Sequence, residues 1–138
     1  MALPSPDLSE RIARSPLGRH LDWQAEHIAD DHARLRMPFA PHNVTAGTLV
    51  HGGAISALAD AAATAACWAT PAAGPGSRGT TIALNVNFLK GAMAIDLIAD
   101  ARVVQRGGSI CVADVSVEDP DGQVIAVARA TYKLTHSR

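Results

Sequence analysis

From Thr80 onward, apolar and polar positions alternate with a period of two, the signature of half-buried strands. In Thr81-Ile82-Ala83-Leu84-Asn85-Val86-Asn87-Phe88, strict alternation sets Ile82, Leu84, Val86 and Phe88 on one face. Lys90-Gly91-Ala92 then reads as a turn and residues 95–106 as a second strand. Arg106-Gly107-Gly108-Ser109 turns into a third strand, 110–118, where Cys111, Ala113, Val115 and Val117 alternate with more polar neighbours. Asp119-Pro120-Asp121-Gly122 has proline and glycine where a tight turn needs them, and residues 123–134 complete a three-hairpin meander.

The first half of the chain follows a different pattern. Residues 7–15 predict a short helix, with Asp7 or Ser9 at its start and Pro16 beyond its end. Strands are expected over 20–28 and 32–39, around the turn Ala29-Asp30-Asp31. A loop holding Pro41 and Asn43 follows, then a helix from about Gly53 to Trp68, broken at Pro71, Gly74, Pro75 and Gly76. One long helix beside an antiparallel sheet is an α+β architecture, with the sheet curling around the helix. There is no repeat and no dividing linker, so residues 1–138 read as one domain, with its core over about 20–134 and residues 1–19 as an extension.

The helix carries the chemistry. Asp60 is the only charged residue between His51 and Arg78, in a run of alanines and other small residues. A helix with so little polar face is expected to be buried on every side, and a lone buried carboxylate is costly unless it does work. Gly52 and Gly53 leave the first helical amides open to approach. Such amides, helped by the helix dipole, stabilise negative charge on a carbonyl oxygen under attack. Asp60 would serve as general base for water or as nucleophile, and the residues alone leave both routes open. The chain has no Gly-x-Ser-x-Gly elbow, which argues against a serine triad.

Gly53 and Asp60 are seven residues apart, on nearly the same helical face but roughly 10 Å apart along the axis. One chain therefore cannot bring both to one carbonyl. Two antiparallel copies of the helix would, each Asp60 facing the other chain's Gly53, which predicts a homodimer with two shared sites.

Composition narrows the alternatives. A net charge of −1 gives no reason to expect nucleic acid or an anionic membrane as partner, and the longest apolar stretch carries Asp60, so no membrane span is expected. The opening Met-Ala-Leu-Pro-Ser-Pro-Asp lacks the pattern of an export signal, and Cys67 and Cys111 fit reduced core thiols, so a cytoplasmic location is expected. His27 and His32 with Asp30 and Asp31 have no standard metal spacing and read as a solvated turn. Trp23, Trp68, Phe39 and Phe88 suit core packing first and an acyl pocket second. Lys90, Arg106 and Ser109 stand at turns, where solvated surface residues and residues that dock phosphate groups look the same.

His51-Gly52-Gly53 with Asp60 nine residues after the histidine, then Thr80 through Lys90, Gly107 and Tyr132, resembles hotdog-fold acyl-CoA thioesterases of the phenylacetate-degradation (PaaI-like) type. The likeness spans about residues 20–134. It implies dimers that often pair into homotetramers, and hydrolysis of an acyl- or aryl-acyl-CoA thioester without metal or prosthetic group. It further implies Asp60 as the catalytic carboxylate, the Gly53 amide polarising the carbonyl with Gly52 beside it at the substrate, and His51 fixing the loop or the substrate. Thr80 or Thr81 would stand near the attacking water. Many members carry asparagine six residues before this histidine; Thr45 is there in this chain, with Asn43 two positions earlier. Either a loop shift brings Asn43 to the substrate or that polar partner is missing. Two other readings are a non-catalytic acyl-CoA sensor, which usually has an added DNA-binding segment, and a hotdog dehydratase or hydratase, which needs a catalytic histidine in a different local pattern.

Overall fold

The computed structural model describes residues 6–136. Residues 1–5, part of the segment read as lacking an export signal, lie outside the described residues.

Two helices open the chain, α1 (Pro6–Ala13) and α2 (Pro16–His20). Pro16 therefore does more than stop a helix. It sits at the first position of α2, where its missing N–H costs nothing, while the Ser15 hydroxyl accepts from the Gly18 amide as a cap. α1 begins at Pro6, ahead of both Asp7 and Ser9, and sends Leu8 into the core.

Next come β1 (Gln24–Ala29), β2 (His32–Met37), the short pair β3 (Val44–Ala46) and β4 (Leu49–Val50), and the long helix α3 (Gly52–Trp68). The strands β5 (Arg78–Phe88), β6 (Leu97–Arg106), β7 (Ile110–Glu118) and β8 (Val124–Thr135) complete the chain. Six strands form one antiparallel sheet in the order β1-β2-β6-β7-β8-β5, curved around α3. The expected α+β architecture is present, with a different strand order. Consecutive hairpins would have set β5 beside β6, whereas β5 crosses to the far edge and pairs with β8. The segment after Phe88 makes this crossing possible. It is anchored where the Leu89 and Lys90 amides donate to the Ile125 carbonyl, and it then returns toward the β6 side of the sheet.

The core lies between α3 and the inner sheet face. Ile55, Leu58, Ala59, Ala62, Ala63 and Ala66 meet Leu35, Leu97, Ala99, Ala113 and Val117, all essentially excluded from solvent. The alanines let the sheet backbone approach the helix closely, so the few large side chains fill the remaining space. Cys67 and Cys111 are buried, free thiols lying against one another, and burial pushes the Cys67 thiol well above its ordinary pKa. Among the described residues, no helix is long and apolar enough to cross a membrane.

Candidate active site

The sheet covers only one side of α3, which corrects the expectation of all-round burial. Ala57, Asp60, Ala61, Thr64 and Trp68 remain only partly covered, and Gly53 is exposed. These positions recur every three or four residues, so they form one stripe along the helix. Asp60 sits in the middle of it, half-buried, and the Thr81 hydroxyl donates to its Oδ1 at 2.7 Å.

Strict alternation would turn Thr81 away. A β-bulge between Thr81 and Ala83 breaks the register of β5 against β8. Thr81 thereby pairs with the buried Tyr132 and joins Leu84, Val86 and Phe88 on the helix side, while Ile82 is thrown outward, 56% exposed. One extra residue exchanges the faces on its two sides. Thr80, paired with Lys133, is exposed and makes no contact with Asp60, so of the two candidate threonines only Thr81 reaches the carboxylate.

Beside Asp60 lies a cavity of about 320 Å³. One wall is the α3 stripe; the other comes from the N-terminal helices and Trp23. Trp23 is buried, as is Tyr132, whose hydroxyl accepts from the Trp68 indole N–H at 2.8 Å. Burial raises the Tyr132 pKa, outweighing the Trp68 hydrogen bond that lowers it. Phe39 packs against the core, and Phe88 is exposed with its ring over Gly52.

The start of α3 is reachable but not bare. His51 is the N-cap, and its Nδ1 accepts from the Gly53 amide at 2.8 Å. Within one chain that amide is thus already satisfied, and it can hold a carbonyl oxygen only once the exposed His51 ring turns aside. The His51 amide in turn donates to the Asn43 carbonyl at 2.8 Å. Asn43 is 3% exposed; its side chain donates to the Pro38 carbonyl and accepts from the Ala40 amide. It anchors the loop with both amide ends engaged in protein contacts, and Thr45 is exposed on a neighbouring strand.

The three candidate phosphate residues do not converge in one chain. Lys90 lies beside the β7–β8 turn, donating to Gln123 at 2.7 Å, whereas Arg106 and Ser109 flank the turn at the opposite end of β7. Arg106 donates to Asp31 at 2.8 Å, and with Ser109 it lines a separate pocket of about 160 Å³. A larger concavity, about 640 Å³, is on the outer sheet face away from Asp60. Its charges are already paired, Arg129 holding Asp114 through two bonds of 2.6 and 2.9 Å. Nor do His27 and His32 form a loose turn. Their rings lie against each other on β1 and β2, centroids 4.7 Å apart and planes tilted by 45°, and His32 bonds Asp100 at 3.0 Å.

With this geometry in place, known proteins can be set beside it. A family model described as the thioesterase superfamily matches residues 47–126, the stretch holding α3 and its strands up to the start of β8. A protein of Halobacterium salinarum named as a candidate esterase is 34% identical over 124 residues, covering 83% of this chain and 81% of that one. A thioesterase structure from Haemophilus influenzae superposes with a TM-score of 0.85 at 18% identity, over 99% of this chain and 93% of the other. A Streptococcus pneumoniae protein titled a hypothetical thioesterase, solved with coenzyme A, gives 0.74 at 22% identity, over 84% and 88%. These likenesses establish the hotdog fold. The family match, spanning more than half the residues, and the haloarchaeal relative together establish that this chain belongs to the thioesterase superfamily.

Proposed function

We propose that this protein hydrolyses the thioester of an acyl- or aryl-acyl-CoA, working as a homodimer in which each site combines Asp60 of one copy with the Gly53 amide of the other. The observation that carries the reading is the Asp60–Thr81 pair, a carboxylate fixed by a 2.7 Å hydrogen bond at the edge of a cavity in an otherwise apolar helical stripe. One oxygen is anchored, leaving Oδ2 to take a proton from water or to attack the carbonyl carbon itself. Thiolate leaves from the tetrahedral carbon more readily than an alkoxide would, so polarising the carbonyl and supplying the nucleophile suffices.

The dimer follows from the edge of the sheet. β5 is an eleven-residue edge strand with Ile82, Phe88 and the adjoining Leu89 exposed, an unusual edge to leave to water. A second copy pairing antiparallel along β5, with its two-fold axis near Leu84 and Asn85, sets Thr81 opposite Phe88 of the second copy. Phe88 lies on Gly52. That arrangement brings one Asp60 toward the other chain's helix start, bridging the roughly 10 Å that separate them in one chain. It also buries the open α3 stripe. Further pairing into a homotetramer, and a PaaI-like choice of substrate, remain part of this proposal. The coenzyme A of the pneumococcal structure supports a CoA thioester, with Arg106 and Ser109 or Lys90 as candidate phosphate contacts.

Thiol release from a panel of acyl- and aryl-CoA esters, compared between wild type and Asp60→Ala, tests the reading. Turnover is expected to fall about a hundredfold or more in the variant with the dimer intact. Equal turnover in both would overturn it.

A further inference from the structure

The cavity at Asp60 is apolar along most of its wall, through Ala57, Ala61, Ile12, Leu17 and Trp23, yet α1 places one cation at its rim, the exposed Arg11. The guanidinium sits over the Trp68 ring, 5.5 Å from its centroid, a cation–π contact that gives a mobile side chain a preferred position. Asp60, the acid lining the same cavity, takes its hydrogen bond from Thr81 and not from the guanidinium.

We infer that the chamber receives an acyl group whose far end carries an anion, a carboxylate first of all, and that Arg11 is the residue that selects it. The inference rests on the thioesterase reading above and adds the substrate class. Its size fits: about 320 Å³ is room for about ten non-hydrogen atoms, taking about 30 Å³ for each water-sized group. A short dicarboxylic acid bound to CoA through one end is of that size. Its thioester end lies at Asp60 and its free carboxylate at the guanidinium, with methylenes against Ala57 and Ala61. Arginine suits the task because its planar fork matches a carboxylate with two parallel hydrogen bonds.

The test compares glutaryl-CoA with hexanoyl-CoA, similar in length and differing in the terminal charge, for wild type, Arg11→Gln and Arg11→Lys. Wild type is expected to prefer glutaryl-CoA in kcat/KM by about tenfold or more, the worth of a charged hydrogen bond. Arg11→Gln should remove that preference mainly through KM while changing hexanoyl-CoA far less, and Arg11→Lys should restore part of it. No preference in wild type, or an equal fall for both substrates in Arg11→Gln, would overturn the assignment. Binding to Asp60→Asn, measured by calorimetry with and without Arg11→Gln, keeps the two readings apart. If wild type hydrolyses no ester of the acyl- and aryl-CoA panel, the hydrolase reading fails. Tighter binding of glutaryl-CoA that is lost with Arg11 would still uphold the selectivity, and equal binding would end it.

Discussion

Replacing Thr81 by valine removes one hydroxyl and keeps the side-chain shape. In the folded chain that hydroxyl donates to Asp60 Oδ1 at 2.7 Å and fixes which carboxylate oxygen faces the cavity. A hydrogen bond to a charged acceptor contributes about 1.5–3 kcal/mol. Thr81 and Asp60 are both half-buried, so water screens the bond and the lower end applies. A loss of about 1.5 kcal/mol in holding the productive carboxylate orientation corresponds to about a tenfold fall in kcat/KM. The assay is thiol release from the best CoA ester found for the wild type, with the melting temperature followed alongside. Thr81→Ser, which restores the donor, should stay within a few-fold of wild type. Thr80→Val should do the same, because Thr80 lies on the outer side of the bulge. If Thr81→Val keeps wild-type kcat/KM, or if Thr80→Val loses as much, the reasoning from the bulge to the carboxylate is wrong.

Other expectations follow from the same contacts. A Cβ on Gly79 would land on the Tyr132 hydroxyl, so Gly79→Ala should destabilise by about 1–3 kcal/mol in urea unfolding. Leu58 is wholly excluded from solvent under the sheet, and Leu58→Ala should cost about 2–5 kcal/mol by the same measurement. His51→Ala removes the acceptor from the Gly53 amide and should cost about 1 kcal/mol, as lost caps do. Burial raises the Asp100 pKa, but hydrogen bonds from His32 and Arg34 outweigh it and hold the carboxyl below its usual value. Its stabilising contribution is therefore complete above about pH 4 and is lost as pH falls through the lowered value. Thermal melts of Asp100→Asn across pH 2 to 6 should show a flatter acid side than wild type.

The long helix and the four C-terminal strands were legible because their periods and turns are local properties. Thr45-Ala46-Gly47-Thr48 hides a two-strand ribbon too short to show a period, and α2 was masked by Pro16, which equally ends one helix or starts another. The edge position of β5 was not legible, since alternation says that a strand has two faces but not which neighbour it pairs with. The bulge at Ile82 was hidden for a related reason. It is a mismatch with β8 that no single strand displays, and it alone decides between Thr80 and Thr81. The open stripe on α3 escaped because alanine and threonine differ little in hydrophobicity, so the sequence carries almost no signal for which side the sheet covers. Asp60, His51, Gly52 and Gly53 were readable because a lone acid and paired glycines stand out in such a run. The loop-anchoring contacts of Asn43 were not legible, because they depend on which backbone groups the loop folds against. Nothing in the sequence marks Arg11, since only its contact to Trp68 and its place at the cavity set it apart from other surface arginines.

The shared site is tested most directly by mixing two variants that are each inactive, Asp60→Asn and Gly53→Pro, after unfolding and refolding them together. In a symmetric pair, a mixed dimer has one site with both intact groups and one site with neither. Equal amounts of the two chains assort into about half mixed dimers, so about a quarter of wild-type activity should return. Activity no greater than the sum of the two variants alone would contradict the account, because it would mean that acid and amide never meet across chains.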